Sequence, residues 1–152
     1  VTLFNWLHAR IANKRVLDLF AGSGILGLEA LSRDSEEVIF IERSKKASMA
    51  LDQQLAKFQI DNCKNKQVDA IQFLKQKNKE ARFDIIFLDP PYGSYAINEI
   101  LSLIVMNNWI VKKGYVFYES NVPLDLKVVE PLWNIYRESK AGKVYYYLLC
   151  CN

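Results

Sequence analysis

The sequence predicts an α/β fold: a mostly parallel sheet with helices on both faces, closed by a C-terminal antiparallel hairpin. Three observations lead there. Apolar strands alternate with helical segments from Val16 to Glu119. The strands "VLDLF", "VIFI" and "FDIIFL" are nearly continuous in apolar residues, the pattern of strands buried on both faces. Beyond Glu119 the pattern changes to two β-rich runs separated by a short polar stretch, which reads as a hairpin.

The elements follow in order. Leu3, Trp6, Leu7 and Ile11 recur at helical spacing, so residues 2–12 read as an amphipathic helix. Val16 to Phe20 is a first strand, followed by a glycine turn and a helix that begins at Ile25. Val38 to Ile41 is a second strand ending at Glu42, and Lys45 to Phe58 has helical periodicity. Lys66 to Val68 is a weak third strand ending at Asp69, and Ala70 to Lys77 is a short helix. Phe83 to Leu88 is a strong buried strand ending in Asp89-Pro90-Pro91-Tyr92. Ile97 to Met106 is helical, and Trp109 to Tyr118 contains a fifth strand ending at Glu119. Trp133 to Glu138 and Lys143 to Leu149 form the hairpin around Ser139-Lys140-Ala141-Gly142.

The 152 residues are expected to form one domain over 1–152, with no composition break or repeat. Such a length buries about 70% of the unfolded chain's surface. An apolar fraction of 51% and a charged fraction of 24% fit a soluble globular protein. No apolar run approaches the roughly 20 residues of a membrane span, so no membrane partner is expected. Cys63, Cys150 and Cys151 match neither a disulfide framework nor a metal knuckle, and reduced thiols in a cytoplasmic protein are the expectation. A single histidine, His8, excludes a histidine-rich metal site. The net charge of +3 permits nucleic-acid binding without demanding it.

The chemistry gathers at the strand ends, where open α/β sheets bind ligands. Gly22-Ser23-Gly24-Ile25-Leu26-Gly27 spells G-x-G-x-x-G, which suits NAD or any other adenosine ligand. An acid at the end of the second strand, Glu42, can accept hydrogen bonds from two ribose hydroxyls. Two features favour a ligand other than a dinucleotide. Asp18 precedes the turn, where a carboxylate repels a pyrophosphate but suits the ammonium of S-adenosylmethionine. Asp89-Pro90-Pro91-Tyr92 ends the fourth strand, where a dehydrogenase has no use for it. The Asp89 carboxylate and the Pro90 carbonyl can accept from an exocyclic base amine, freeing its lone pair for attack on a sulfonium methyl. The successive prolines stiffen that turn, and Tyr92 offers a face for a flipped base. Singly, Asp18 could cap a turn, Pro-Pro could end a strand and Tyr92 could be core.

On these residues the chain resembles the bacterial 16S rRNA guanine-N2 methyltransferases. "TLFNWL" (Thr2–Leu7), "VLDLFAGSGILGLEALSR" (Val16–Arg33), "VIFIE", "DAIQFL", "FDIIFLDPPY" and "YVFYE" carry the resemblance. It implies a Rossmann-like, class I S-adenosylmethionine-dependent methyltransferase with a seven-stranded sheet in the order 3-2-1-4-5-7-6. The implied reaction is methylation of a guanine N2 amine in 16S rRNA of the small ribosomal subunit, with S-adenosylhomocysteine as product and no metal. Carried over, Asp18, Phe20, Ala21, Gly22, Ser23 and Gly24 line the methionine end of the cofactor. Glu42, with Arg43 beside it, holds the ribose, and Asp69 and Ala70 read the adenine. Asp89, Pro90, Pro91 and Tyr92 hold the target guanine, Asp89 also facing the cofactor, and Phe4 and Asn5 lie near it. Gly27 is expected to serve helix packing. A monomer is expected. The resemblance also implies a basic N-terminal segment ahead of "TLFNWL", expected to hold RNA; the sequence as given is expected to lack it. Adenine-N6 or cytosine-N4 DNA methylation, an NAD-dependent oxidoreductase and a non-catalytic RNA-binding module remain alternatives at this point.

Overall fold

Each described strand of the computed structural model, which describes residues 2–7, 9–91 and 95–152, joins one seven-stranded sheet. The elements run α1 (Thr2–Leu7), β1 (Arg15–Asp18), α2 (Ile25–Ser32), β2 (Glu37–Ile41), α3 (Lys45–Lys57), β3 (Cys63–Lys66) and α4 (Ala70–Lys75). They continue with β4 (Phe83–Leu88), α5 (Ile97–Met106), β5 (Ile110–Ser120), α6 (Leu126–Val129), β6 (Trp133–Ala141) and β7 (Val144–Cys151). The strand order is β3-β2-β1-β4-β5-β7-β6, as expected. β7 runs antiparallel to both of its neighbours, and the other pairings are parallel.

Alternation along the strands divides the core into two layers. Leu17, Ile39, Ile41, Ile86 and Leu88 pack with Phe73 and Leu74 of α4 and Ile100, Leu101 and Ile104 of α5. Val16, Val38, Phe40, Ile85 and Phe87 face the other way, against Leu3 and Leu7 of α1, Ala30 of α2 and Leu51 and Leu55 of α3. The sheet is thus covered on both faces, which is why its central strands carry no polar alternation.

Three predicted boundaries are corrected. The third strand lies at Cys63–Lys66, ahead of the predicted 66–68. It is an edge strand with alternating half-buried and exposed residues, so its polar sequence carries little hydrophobic signal. The first helix covers Thr2–Leu7 and does not reach residue 12. Ile11 is fully buried but lies in a turn, where Lys14 N–H donates to its carbonyl at 3.0 Å and Asn13 adopts φ +64°. The hairpin strand β6 extends through Ala141, leaving a turn at Gly142 and Lys143. Gly142 has φ +60°, the left-handed geometry that two-residue hairpins require.

Candidate active site

The central strands β1 and β4 are neighbours, with Asp18 paired in register with Phe87. Their carboxyl ends therefore deliver Asp18 and Asp89 to one place. Both side chains line a cavity of about 550 Å³ together with Phe20, Gly22 and Ser23 of the β1–α2 turn and Glu119 of β5. A smaller adjoining cavity of about 190 Å³ is lined by Glu42, Arg43, Asp69, Ala70, Pro91 and Tyr95. Phe20, Gly22 and Asp89 border both.

Asp18 is buried, and its carboxylate accepts the Gly27 backbone N–H at 3.1 Å. It therefore does cap the first turn of α2. Burial pushes its pKa up to about 7; the Gly27 bond pulls the other way, and the charges of Asp89 and Glu42 add to the rise. Asp89 is likewise pushed up to about 7 by burial, then by the charge of Glu119 and a hydrogen bond between the two carboxyls. A carboxyl–carboxyl hydrogen bond needs one proton between the pair.

Glu42 fixes the turn from the side. One carboxylate oxygen accepts Gly22 N–H at 3.0 Å and the other accepts Ser44 N–H at 2.6 Å. Each oxygen keeps a lone pair, so the group is held in place and can still accept from hydroxyls. Asp69 caps α4 by accepting Gln72 N–H at 3.1 Å. Its other oxygen accepts the Tyr95 hydroxyl at 3.4 Å and lies 4.0 Å from the Arg43 guanidinium. Tyr95 in turn leans on Phe20, with ring centroids 5.0 Å apart.

The two cavities carry five acids (Asp18, Glu42, Asp69, Asp89 and Glu119) and one base, Arg43. A dinucleotide's pyrophosphate fits this lining poorly. The helix N-terminus that would meet such a phosphate is already met by the Asp18 carboxylate. A ligand that brings an ammonium and a sulfonium fits it well, because a cation beside Asp18 relieves the cost of its burial. Among the described residues lining the larger cavity there is no Lys, Arg or His.

Residues 1–150 match the family model described as Conserved hypothetical protein 95. The chain is 38% identical over 147 residues to Ribosomal RNA small subunit methyltransferase D of Escherichia coli K12, covering 97% of this chain and 73% of that protein. The chain belongs to the ribosomal RNA small subunit methyltransferase D family. The family's protein of the same name in Haemophilus influenzae is 37% identical, over 97% of this chain and 77% of that one. The solved structure of the yhhF protein of Escherichia coli superposes with a TM-score of 0.93 at 37% identity, over 99% of this chain and 82% of that one. The sheet is that of a class I S-adenosylmethionine-dependent methyltransferase.

Set on this family's frame, the sequence-predicted residues divide into groups. Asp18, Phe20, Ala21, Gly22, Ser23, Glu42, Arg43, Asp69, Ala70, Asp89 and Pro91 border one cavity or both. Gly24 and Pro90 are buried and absent from both linings. Gly24, at φ +81°, packs on α3, where an added Cβ would come 2.6 Å from a Leu51 methyl. Asn5 is exposed on α1, whose Leu3 lines the larger cavity. Tyr92 and the Phe4 side chain lie outside the described residues. Gly27 packs as expected: a Cβ there would sit 2.2 Å from the Phe40 ring. Glu119 and Tyr95 carried no predicted role, although Glu119 closes the motif "YVFYE" at a strand end.

Proposed function

We propose that this protein transfers a methyl group from S-adenosylmethionine to the exocyclic N2 amine of a guanine in 16S rRNA of the small ribosomal subunit. The observation that carries this reading is the position of Asp89. It stands at the end of β4, bordering both the cavity with Asp18 and the one with Glu42 and Asp69. A cofactor lying across both, from Asp69 and Glu42 to Asp18, would bring its reactive methyl beside Asp89.

Each residue then has a part. The Asp18 carboxylate, with the turn of Phe20 to Ser23, meets the ammonium of the amino-acid end. Glu42 accepts the ribose hydroxyls while Gly22 and Ser44 hold its carboxylate still. Asp69 and Ala70 border the adenine, with Arg43 and Tyr95 beside them. When bound, S-adenosylmethionine supplies an electrophilic methyl whose leaving thioether is neutral. Asp89 accepts a hydrogen bond from the guanine amine, which draws its lone pair out of the ring. Pro90 and Pro91 hold that carboxylate on a stiff turn, and Tyr92 stacks on the flipped base. The reading assigns no metal and places the protein as a monomer in the cytoplasm. The relatives' names support ribosomal RNA as the class of substrate.

Two measurements test it. Calorimetry should show binding of S-adenosylhomocysteine and none of NAD. Methyl incorporation should appear in small ribosomal particles and not in duplex DNA. Binding of NAD alone, or labelling of DNA alone, would overturn the proposal.

A further inference from the structure

Glu119 lies outside every element of the reading above, yet it touches the residue at its centre. β4 and β5 are parallel neighbours, with Leu88 in register with Tyr118. The next residue on each strand is therefore an acid, Asp89 on one and Glu119 on the other. Both line the 550 Å³ cavity, and their carboxyls are hydrogen-bonded. The wall beside them is apolar, made by Leu3, Phe117 and Leu26.

We propose that Glu119 is a positioning residue for methyl transfer: it aims the Asp89 carboxylate into the cavity, and with both groups ionised the pair takes up the proton that the acceptor amine gives up and holds it between the two carboxyls. This rests on the proposed methylation of an amine. The balance of the step requires such an acceptor. The amine nitrogen's lone pair forms the new N–C bond, and the pair of the breaking C–S bond stays on sulfur. The nitrogen is left with one proton too many, and that proton must go to a base. An ordinary carboxylate is a weak base for this purpose. A carboxylate held beside a second one is stronger, because protonation removes a like-charge contact.

The charged and titratable groups around Asp89 set the sign. Asp18 of β1, Glu119 of β5 and Tyr146 of β7 share its larger cavity. Glu42, Arg43, Asp69 and Tyr95 share the smaller one. Arg43 is the one cation among these described residues, and it pairs with Asp69. Replacing Glu119 by glutamine removes the like charge that is in direct contact with Asp89. The Asp89 value should then fall, and the acid limb of the pH–rate profile should move with it.

The test is Glu119→Gln in the whole chain, read two ways. The kcat on small-subunit particles, at saturating S-adenosylmethionine, should fall at least about tenfold on the plateau. Its acid limb should move down by about one pH unit or more while cofactor affinity stays within about twofold. A merely structural role would lower activity without moving the profile, so an unshifted profile overturns the inference. The second reading needs no turnover. Carbon-13 NMR of the free wild-type protein, with Asp89 assigned by its loss in Asp89→Asn, should show that carboxyl titrating near neutrality. In Glu119→Gln it should titrate nearer the ordinary carboxylate range. Ordinary titration of Asp89 in the wild type overturns this inference and leaves the methylation proposal standing. A wild-type protein with neutral-range titration that methylates no amine overturns the methylation proposal instead.

Discussion

The Gly27 backbone N–H donates to the Asp18 carboxylate at 3.1 Å, closing the turn between β1 and α2 from within. One contact thus gives the G-x-G-x-x-G stretch a role other than phosphate binding. The helix terminus is occupied by the protein's own acid, and the third glycine is the donor. That acid is buried and lies among other acids, which makes it costly to ionise.

The affinity for S-adenosylmethionine should therefore depend on pH. Asp18 has its value raised from 3.8 to about 7, so it is largely protonated below neutrality in the free protein. Binding the cationic cofactor selects the ionised form and releases the proton. Affinity should rise as the pH goes from about 5.5 to 7, and calorimetry in two buffers of different ionisation enthalpy at pH 6 should report proton release. A flat affinity over that range would remove Asp18 from the cation site. The same shift bears on the free protein's stability. A raised carboxyl binds its proton more tightly when folded, so stability falls as the pH rises from about 4 to about 7.

Asp18→Asn tests the charge apart from the turn. The amide oxygen can still accept from Gly27, so the fold should survive. Loss of a charge-assisted contact is worth roughly 1.5–3 kcal/mol. The cofactor should bind about tenfold or more weakly by calorimetry, with a thermal midpoint close to wild type. An unchanged affinity would contradict the assignment.

Glu42→Ala should weaken cofactor binding and loosen the turn together. It deletes the acceptor for Gly22 N–H and Ser44 N–H, leaving the partly buried Gly22 donor without it. Each lost bond to a charged group costs about 1.5–3 kcal/mol as an upper range, less where water replaces it. Denaturant titration and calorimetry on the same preparation should both show the loss. Wild-type affinity would place the ribose elsewhere.

Gly27→Ala should destabilise without touching the cleft lining. The new methyl would lie 2.2 Å from a ring carbon of Phe40, which is fully buried under α2. Overpacking of this kind costs typically about 1–3 kcal/mol. The thermal midpoint should drop by roughly 2–4 °C per kcal/mol for a chain of this size. A midpoint equal to wild type would show that α2 can lift off β2 freely.

The strands that form the buried middle of the sheet were legible because their apolar runs have no other use. Val16, Val38, Phe40, Ile85 and Phe87 sit where alternation and burial place them. β3 was not legible at its true position, because "CKNK" lies on the sheet edge and has little to bury. Leu3, Leu7 and Ile11 are all buried as their spacing predicts, but the spacing does not reveal that the chain leaves the helix before Ile11. Ser139 and Lys140 read as turn residues because they are exposed, and exposure is what an edge strand such as β6 allows. At the cleft, Asp18, Glu42, Asp69 and Asp89 were readable from one rule, that strand ends bear the ligands. The fifth strand's end at Glu119 was readable by the same rule, but its contact with Asp89 was not, because no spacing in the chain links residue 119 to residue 89. Only the pairing of β4 with β5 brings them together. Tyr95 reaches Asp69 for a similar reason, across the gap between two loops.

Asp89→Ala separates chemistry from binding. The variant should keep S-adenosylhomocysteine affinity within a few-fold. Methyl transfer should fall by about a hundredfold or more, in keeping with removal of an acceptor aimed at developing charge. Retention of near-normal methylation would refute its role.

The most direct measurement maps the product. Purified protein, S-adenosylmethionine and small ribosomal particles lacking the modification are incubated, and the RNA is digested and analysed by mass spectrometry. The account predicts one new N2-methylguanine, absent with Asp89→Ala. A methyl group found instead on adenine N6 or cytosine N4, or no transfer to the RNA at all, would contradict it.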